Sequence, residues 1–153
     1  MARRNKFNVS EISNFYATSE LEALEEVLAS VKDIELLSYD IRIGNLQLLS
    51  YYRADLEAWE SQLTRTKSRL ELISRKRSVD ALSIGKKPTK DLIEIGTLDS
   101  LNEEETANYE QIVKDLAYVK KWKAVLNDVF WLYNDAHKQL GNNNAKQKTS
   151  SSS

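Results

Sequence analysis

The sequence predicts an all-α protein: a long antiparallel helical hairpin with an additional N-terminal helix, coiled-coil-like packing and an oligomeric assembly. Three observations carry that expectation. Leu49, Tyr52, Leu56, Trp59, Leu63, Thr66, Leu70 and Ile73 recur at alternating spacings of three and four, the seam of a helix made to meet other helices. Tyr109, Ile112, Leu116, Val119, Leu126, Phe130, Tyr133 and Leu140 form a second such stripe, which Trp122, Val125, Val129 and Leu132 widen. Four glycines and one proline in 153 residues are too few breakers for a sandwich or barrel.

Residues 1–18 read as a flexible basic arm with Arg3, Arg4 and Lys6 near its start and Phe15 or Tyr16 as its anchor. A helical domain over 19–140 follows. Its first helix is expected to begin at Ser19, which forms a capping-box pattern with Glu22, while Glu20, Glu22, Glu25 and Glu26 suit the positive end of the helix dipole. Leu21, Leu24, Leu28 and Val31 mark its apolar face, and then Ile34, Leu37, Ile41 and Leu48 take over. A stripe that drifts in this way implies a bend, and Gly44 is the weak point, because glycine costs a helix interior about 1 kcal/mol relative to alanine.

The first long helix runs from about Asn45 to about Val79. Gly85, Pro88 and Gly96 then break the pattern, so 81–101 reads as a loop in which the chain reverses, with Leu92, Ile93 and Ile95 tucked against a helix. The last helix begins near Ser100 to Asn102. There Ser100 and Glu103 again match a capping box, and Glu103, Glu104 and Glu105 fill the first turn. Gly141 is placed to end it, and 141–153, rich in Asn, Lys and Ser, reads as a disordered tail.

Composition narrows the function. The chain has no cysteine, hence no disulfide framework and no thiolate ligand or nucleophile. No apolar run approaches the roughly 18 residues of a membrane span, and no apolar segment follows the basic start, so a soluble protein of the cytoplasm without membrane partners is expected. Catalysis has little support, and neither an enzyme nor a cofactor is expected. His137 is the only histidine and reads as a surface or packing residue. The three consecutive glutamates point in different directions around a helix and serve its dipole rather than a metal. Ile84-Gly85-Lys86-Lys87 lacks the other residues of a phosphate-binding loop.

Segregated charge is the functional signal. Between positions 64 and 90 stand Arg65, Lys67, Arg69, Arg75, Lys76, Arg77, Lys86, Lys87 and Lys90 against Glu71 and Asp80, a net charge of +7. Between 91 and 110 there are seven acids and no base. Arg65, Arg69 and Lys76 share a helix face, and phosphates along a nucleic-acid strand are a common partner for such a patch. Tyr51, Tyr52 and Trp59 are able to stack bases, although Tyr52 and Trp59 fall in the seam and read as core. A plainer reading stands beside it: a solvated face, or pairing with the acids of 20–35 and 91–110 in a neighbouring subunit. A membrane surface comes third.

Order and spacing also resemble the phage recombination mediators of the UvsY type. Asn45-Leu46-Gln47-Leu48-Leu49-Ser50-Tyr51-Tyr52 resembles the start of that family's first long helix. Arg75-Lys76-Arg77 followed by Gly85-Lys86 resembles its basic run and Gly-basic turn, and Leu116-Ala117-Tyr118 resembles a step in its second helix. Ser83-Ile84 stand where the family has paired tyrosines, and the helix over 19–43 is additional. The resemblance implies an oligomer that binds single-stranded DNA and helps to load a recombinase where single-strand-binding protein is displaced. It further implies Arg75, Lys76, Arg77, Lys86 and Lys87 as the DNA contacts, with host cytoplasm as the expected compartment if the protein is phage-encoded. Together with Arg65 and Arg69 these are the expected nucleic-acid-binding residues. The rival expectation is a phage structural or assembly protein, such as a scaffold or a small-terminase-like coiled-coil oligomer.

Overall fold

A computed structural model of the chain describes residues 7–83 and 100–151, with side chains for 7–81 and 100–141. The described residues are 90% helical, without strands, and two long helices pack against each other as in a hairpin. A short 3-10 turn, Val9–Ile12, precedes α1 (Thr18–Ala29). A 3-10 stretch, Ser30–Leu36, leads to α2 (Tyr39–Ser83), and α3 spans Glu103–Ser151. The chain divides into two compact units: residues 1–57 with 120–153, and residues 58–119.

The first unit has a well-filled core. Leu24, Leu49, Leu56, Leu126, Trp122 and Tyr133 are at most 1% exposed. Tyrosines tie the N-terminal segment to the long helices. The Tyr16 hydroxyl donates to the Tyr52 carbonyl, the Tyr52 hydroxyl to the Glu20 carbonyl (2.6 Å), and the Tyr133 hydroxyl to the Val27 carbonyl (2.9 Å). Each phenol buries a large ring and spends its polar tip on a main-chain acceptor, which is how tyrosine is tolerated in a core. Lys121 adds an ion pair to Glu11 at 2.8 Å. The arm expected through residue 18 is therefore packed from Phe7 onward, with Ile12 fully buried and Phe7 against Trp122. Tyr16 is one of its anchors, and Arg3, Arg4 and Lys6 lie outside the described residues.

Several expected boundaries move. The helix break falls at Leu37, which is extended (φ −77°, ψ 143°), and not at Gly44. Ser38 caps α2 through its hydroxyl, which accepts from the Ile41 N–H, and α2 continues through Gly44. Arg42, 5% exposed, reaches back from α2 to donate to the Leu37 carbonyl at 2.6 Å and to His137 Nδ1 at 3.1 Å. That pair holds the break in place and gives His137 a packing role. Gly141 likewise fails to end α3, which runs on to Ser151. Two further long-helix contacts belong to this unit: Asn45 Nδ2 to the Tyr133 hydroxyl (3.3 Å) and an Arg53 guanidinium N–H to Asn127 Oδ1 (2.7 Å). As the α2 number rises its α3 partner's falls, the mark of antiparallel helices.

In the second unit α2 and α3 run antiparallel as well, Glu71 pairing with Tyr109 and Arg77 with Glu105. Ile112, Leu116 and Val119 are buried, but in this part of α2 the buried side chains are Ser74 and Ser78. Leu63, Leu70 and Ile73 of the predicted seam are half-buried and Thr66 is exposed.

Candidate nucleic-acid interface

The second unit carries the basic face. Spacings of four, seven and eleven place Arg65, Arg69, Leu72 and Lys76 within an arc of about 60° on α2, and the first and last stand roughly 16 Å apart along its axis. All four are exposed, as is Arg75 beside them. Leu72 is 64% exposed, a large apolar side chain set among cations. Arg65, Arg69, Arg75 and Lys76 have no hydrogen bond or ion pair among the described residues. The helix presents them because its opposite face is given to α3.

Two neighbouring cations are already engaged. Lys67 sits 3.6 Å from Glu71, whose carboxylate also accepts from the Tyr109 hydroxyl at 2.8 Å. Arg77 forms an ion pair with Glu105 and donates to the Ser100 carbonyl at 3.3 Å. That bond raises the Arg77 pKa and, with the Asn102 backbone N–H, lowers that of Glu105. Of the expected contact residues, then, Arg65, Arg69, Arg75 and Lys76 offer open charge and Arg77 is largely neutralised within the chain. Lys86, Lys87 and Lys90 lie outside the described residues, as does the expected contact of Leu92, Ile93 and Ile95.

The acidic start of α3 also finds a structural use. Asn102 is the N-cap: its side chain accepts from the Glu105 N–H at 2.8 Å while Glu105 accepts from the Asn102 N–H at 3.1 Å. The box is thus Asn102–Glu105 and not Ser100–Glu103. Ser100 is engaged elsewhere, its hydroxyl 2.6 Å from that of Ser78. At α1 the shift is in the other direction. Ala17 is the N-cap and Glu20 accepts from its N–H at 3.3 Å, so the helix starts ahead of Ser19. Among the described residues no group of three or more His, Asp or Glu is gathered as a metal site.

The aromatic candidates separate. Tyr52 is 3% exposed and packs edge-on against Tyr16, 5.2 Å between ring centres, which makes it core. Trp59 is half-buried, and Tyr51 is 60% exposed. A groove of about 490 Å³ in the first unit is lined by Arg53, Glu57, Lys123 and Asn127. Its arginine is occupied by Asn127 and by the Phe130 ring, 4.4 Å away, and its charges are of both signs. The α2 face is the more open cationic surface, since Arg65, Arg69, Arg75 and Lys76 are exposed with no acid paired to them among the described residues.

Leu72 is the residue of this face that charge counting alone misses, and its spacing to Arg69 and Lys76 is the signal that finds it. No protein-family model, curated protein or solved structure matches the chain. No helix of the described residues is long and apolar enough to cross a membrane.

Proposed function

We propose that this protein is a non-enzymatic helical factor that binds single-stranded DNA along the 65–76 face of α2, without strong sequence preference, as a homo-oligomer. The carrying observation is the alignment of Arg65, Arg69 and Lys76 on one exposed helix face, with Arg75 beside them and no acid paired to any of the four among the described residues. Guanidinium and ammonium groups in a row match a chain of phosphates, and counter-ion release then drives binding whatever the base sequence. The resemblance to recombination mediators extends this reading to a role in loading a recombinase where single-strand-binding protein is displaced.

Binding to single- and double-stranded DNA compared across salt concentrations tests it. Each phosphate contact contributes a slope of about −0.7 in log affinity against log salt on single strands, so Arg65→Gln, Arg69→Gln and Lys76→Gln together should flatten the slope by roughly 2. Lys67→Gln and Arg77→Gln should matter less, since both side chains are engaged by glutamates. Absence of DNA binding by the wild type at low salt overturns the reading.

A second reading, a structural or assembly protein built on helix packing, is favoured by the apolar side chains that the first unit leaves exposed: Leu36 (84%), Tyr39 (60%), Ile41 (52%), Tyr51 (60%) and Leu132 (54%). Assembly that is indifferent to DNA and to salt would support it.

A further inference from the structure

We infer that the basic face of α2 is also the docking site for the acidic face of α1 from a second copy of this chain. The partner is identified by complementarity of charge and spacing. Glu22, Glu26, Ala29 and Asp33 follow one another at intervals of four, three and four, as do Arg65, Arg69, Leu72 and Lys76. Glu22, Glu26, Ala29 and Asp33 are all exposed, because the opposite side of α1 buries Leu24, Val27 and Leu28. Glu22, Glu25, Glu26 and Asp33 have no ion pair or hydrogen bond from their side chains among the described residues. Both faces are therefore charged, opposite in sign and unpaired.

Side by side with the two segments parallel, Glu22 meets Arg65, Glu26 meets Arg69 and Asp33 meets Lys76. The remaining pair is Ala29 against Leu72. A methyl group opposite a leucine leaves room for the longer side chain, so the contact covers an apolar group that is otherwise 64% exposed. Asp33 lies in the 3-10 stretch with φ −120° and ψ 26°, so the Glu22–Ala29 part of the register is the firmer one.

The energetics set the character of the contact. Exposed ion pairs contribute roughly 0.2–1 kcal/mol each and are screened by salt, so the association is weak, reversible and strongest at low ionic strength. The two faces are different surfaces of the chain, so the contact is heterologous and a pair of copies keeps one free face of each kind, which allows rings or open chains. DNA and α1 of a neighbour would compete for one surface.

Sedimentation velocity of the full chain at low and high salt tests the inference with two charge-reversed variants, Glu22→Lys/Glu26→Lys and Arg65→Glu/Arg69→Glu. Wild type should self-associate at low salt and dissociate at high salt. Each variant alone should associate about tenfold or more weakly. An equimolar mixture of the two should recover a contact at low salt, since reversed α1 meets reversed α2. Circular dichroism of each variant should match wild type, both pairs being exposed. A wild type monomeric at low salt, an assembly unchanged by salt and by either variant, or a mixture that recovers nothing would each overturn it. DNA binding is a separate readout. The α1 variant should bind single-stranded DNA at least as tightly as wild type. Wild type that binds DNA without self-associating overturns this inference and the homo-oligomeric state while DNA binding along α2 stands, whereas salt-sensitive association without DNA binding overturns only the nucleic-acid reading.

Discussion

In the first unit α2 turns Leu49, Tyr52 and Leu56 inward, and all three are buried. In the second unit the same helix, in the same heptad phase, offers Leu63, Leu70 and Ile73, and all three are half-buried, while Ser74 and Ser78 are buried in their place. The sequence pattern is the same in both. What differs is the number of layers. The first unit adds α1 and the two 3-10 segments to the long helices, and its tyrosines fasten them by hydrogen bonds to main-chain carbonyls. Among the described residues the second unit has only α2 and α3. A heptad stripe thus tells which face of a helix is packed, and the number of neighbours decides how dry that face becomes.

The largest effect should come from matched leucine truncations. Leu56→Ala removes a side chain with no exposed surface and should cost about 2–5 kcal/mol. Leu70→Ala, half-buried, should cost roughly 1 kcal/mol. Urea unfolding of both variants measures the contrast, and equal losses would erase it. Next in size is Tyr133→Phe, which strands the Val27 carbonyl and the Asn45 amide and should cost about 1–2 kcal/mol. Alkali probes the same fastening. Burial is the main cause that raises the pKa of Tyr16, Tyr52 and Tyr133 above the unfolded value. Their contribution is then complete below the ordinary tyrosine range and is lost as pH climbs beyond about 10, where the unfolded chain ionises first. Tyr133→Phe should soften that alkaline loss, and a stability profile that is flat through this range would count against the buried phenols.

Opposite in sign is Ser74→Ala. The Ser74 hydroxyl is buried without a hydrogen-bond partner among the described residues, so its removal should stabilise the chain by roughly 1 kcal/mol, helped by the better helix propensity of alanine. A thermal midpoint that falls would mean the hydroxyl has an acceptor. The smallest effect belongs to Arg77→Gln, whose ion pair with Glu105 is exposed on the arginine side. The Arg77 bond lowers the Glu105 pKa, so the pair contributes above the ordinary carboxylate range and is lost as pH falls through the lowered value. Wild type and variant should converge in acid, and a difference that widens there would reverse this assignment.

Much of this was legible in the sequence. The all-α fold, the two stripes and the exposed state of Arg65, Arg69, Arg75 and Lys76 follow from period and charge. The capping boxes were found in kind but misplaced, because 100–105 contains two overlapping candidates and Ser100 is drawn off by Ser78 and Arg77. Gly44 and Gly141 suggested breaks that do not occur. A penalty of about 1 kcal/mol is readily outweighed by packing on either side. The true break at Leu37 carries no breaker residue and depends on the side chain of Arg42 five positions later. The burial of Ile12 and the pairing of Arg77 with Glu105 are tertiary facts that no local pattern encodes.

The polar contacts at the end of the second unit have a consequence in time. Ser78 with Ser100 and Arg77 with Glu105 join the last turns of α2 to the start of α3, which the Asn102 cap closes on its own side. Contacts of this kind, made near water and with little apolar surface beneath them, open and reclose locally without unfolding the rest. Amide protons of those turns should therefore exchange with solvent deuterium far sooner than those around Leu56 and Leu126, and the helix ends would breathe many times within the lifetime of a single folded molecule.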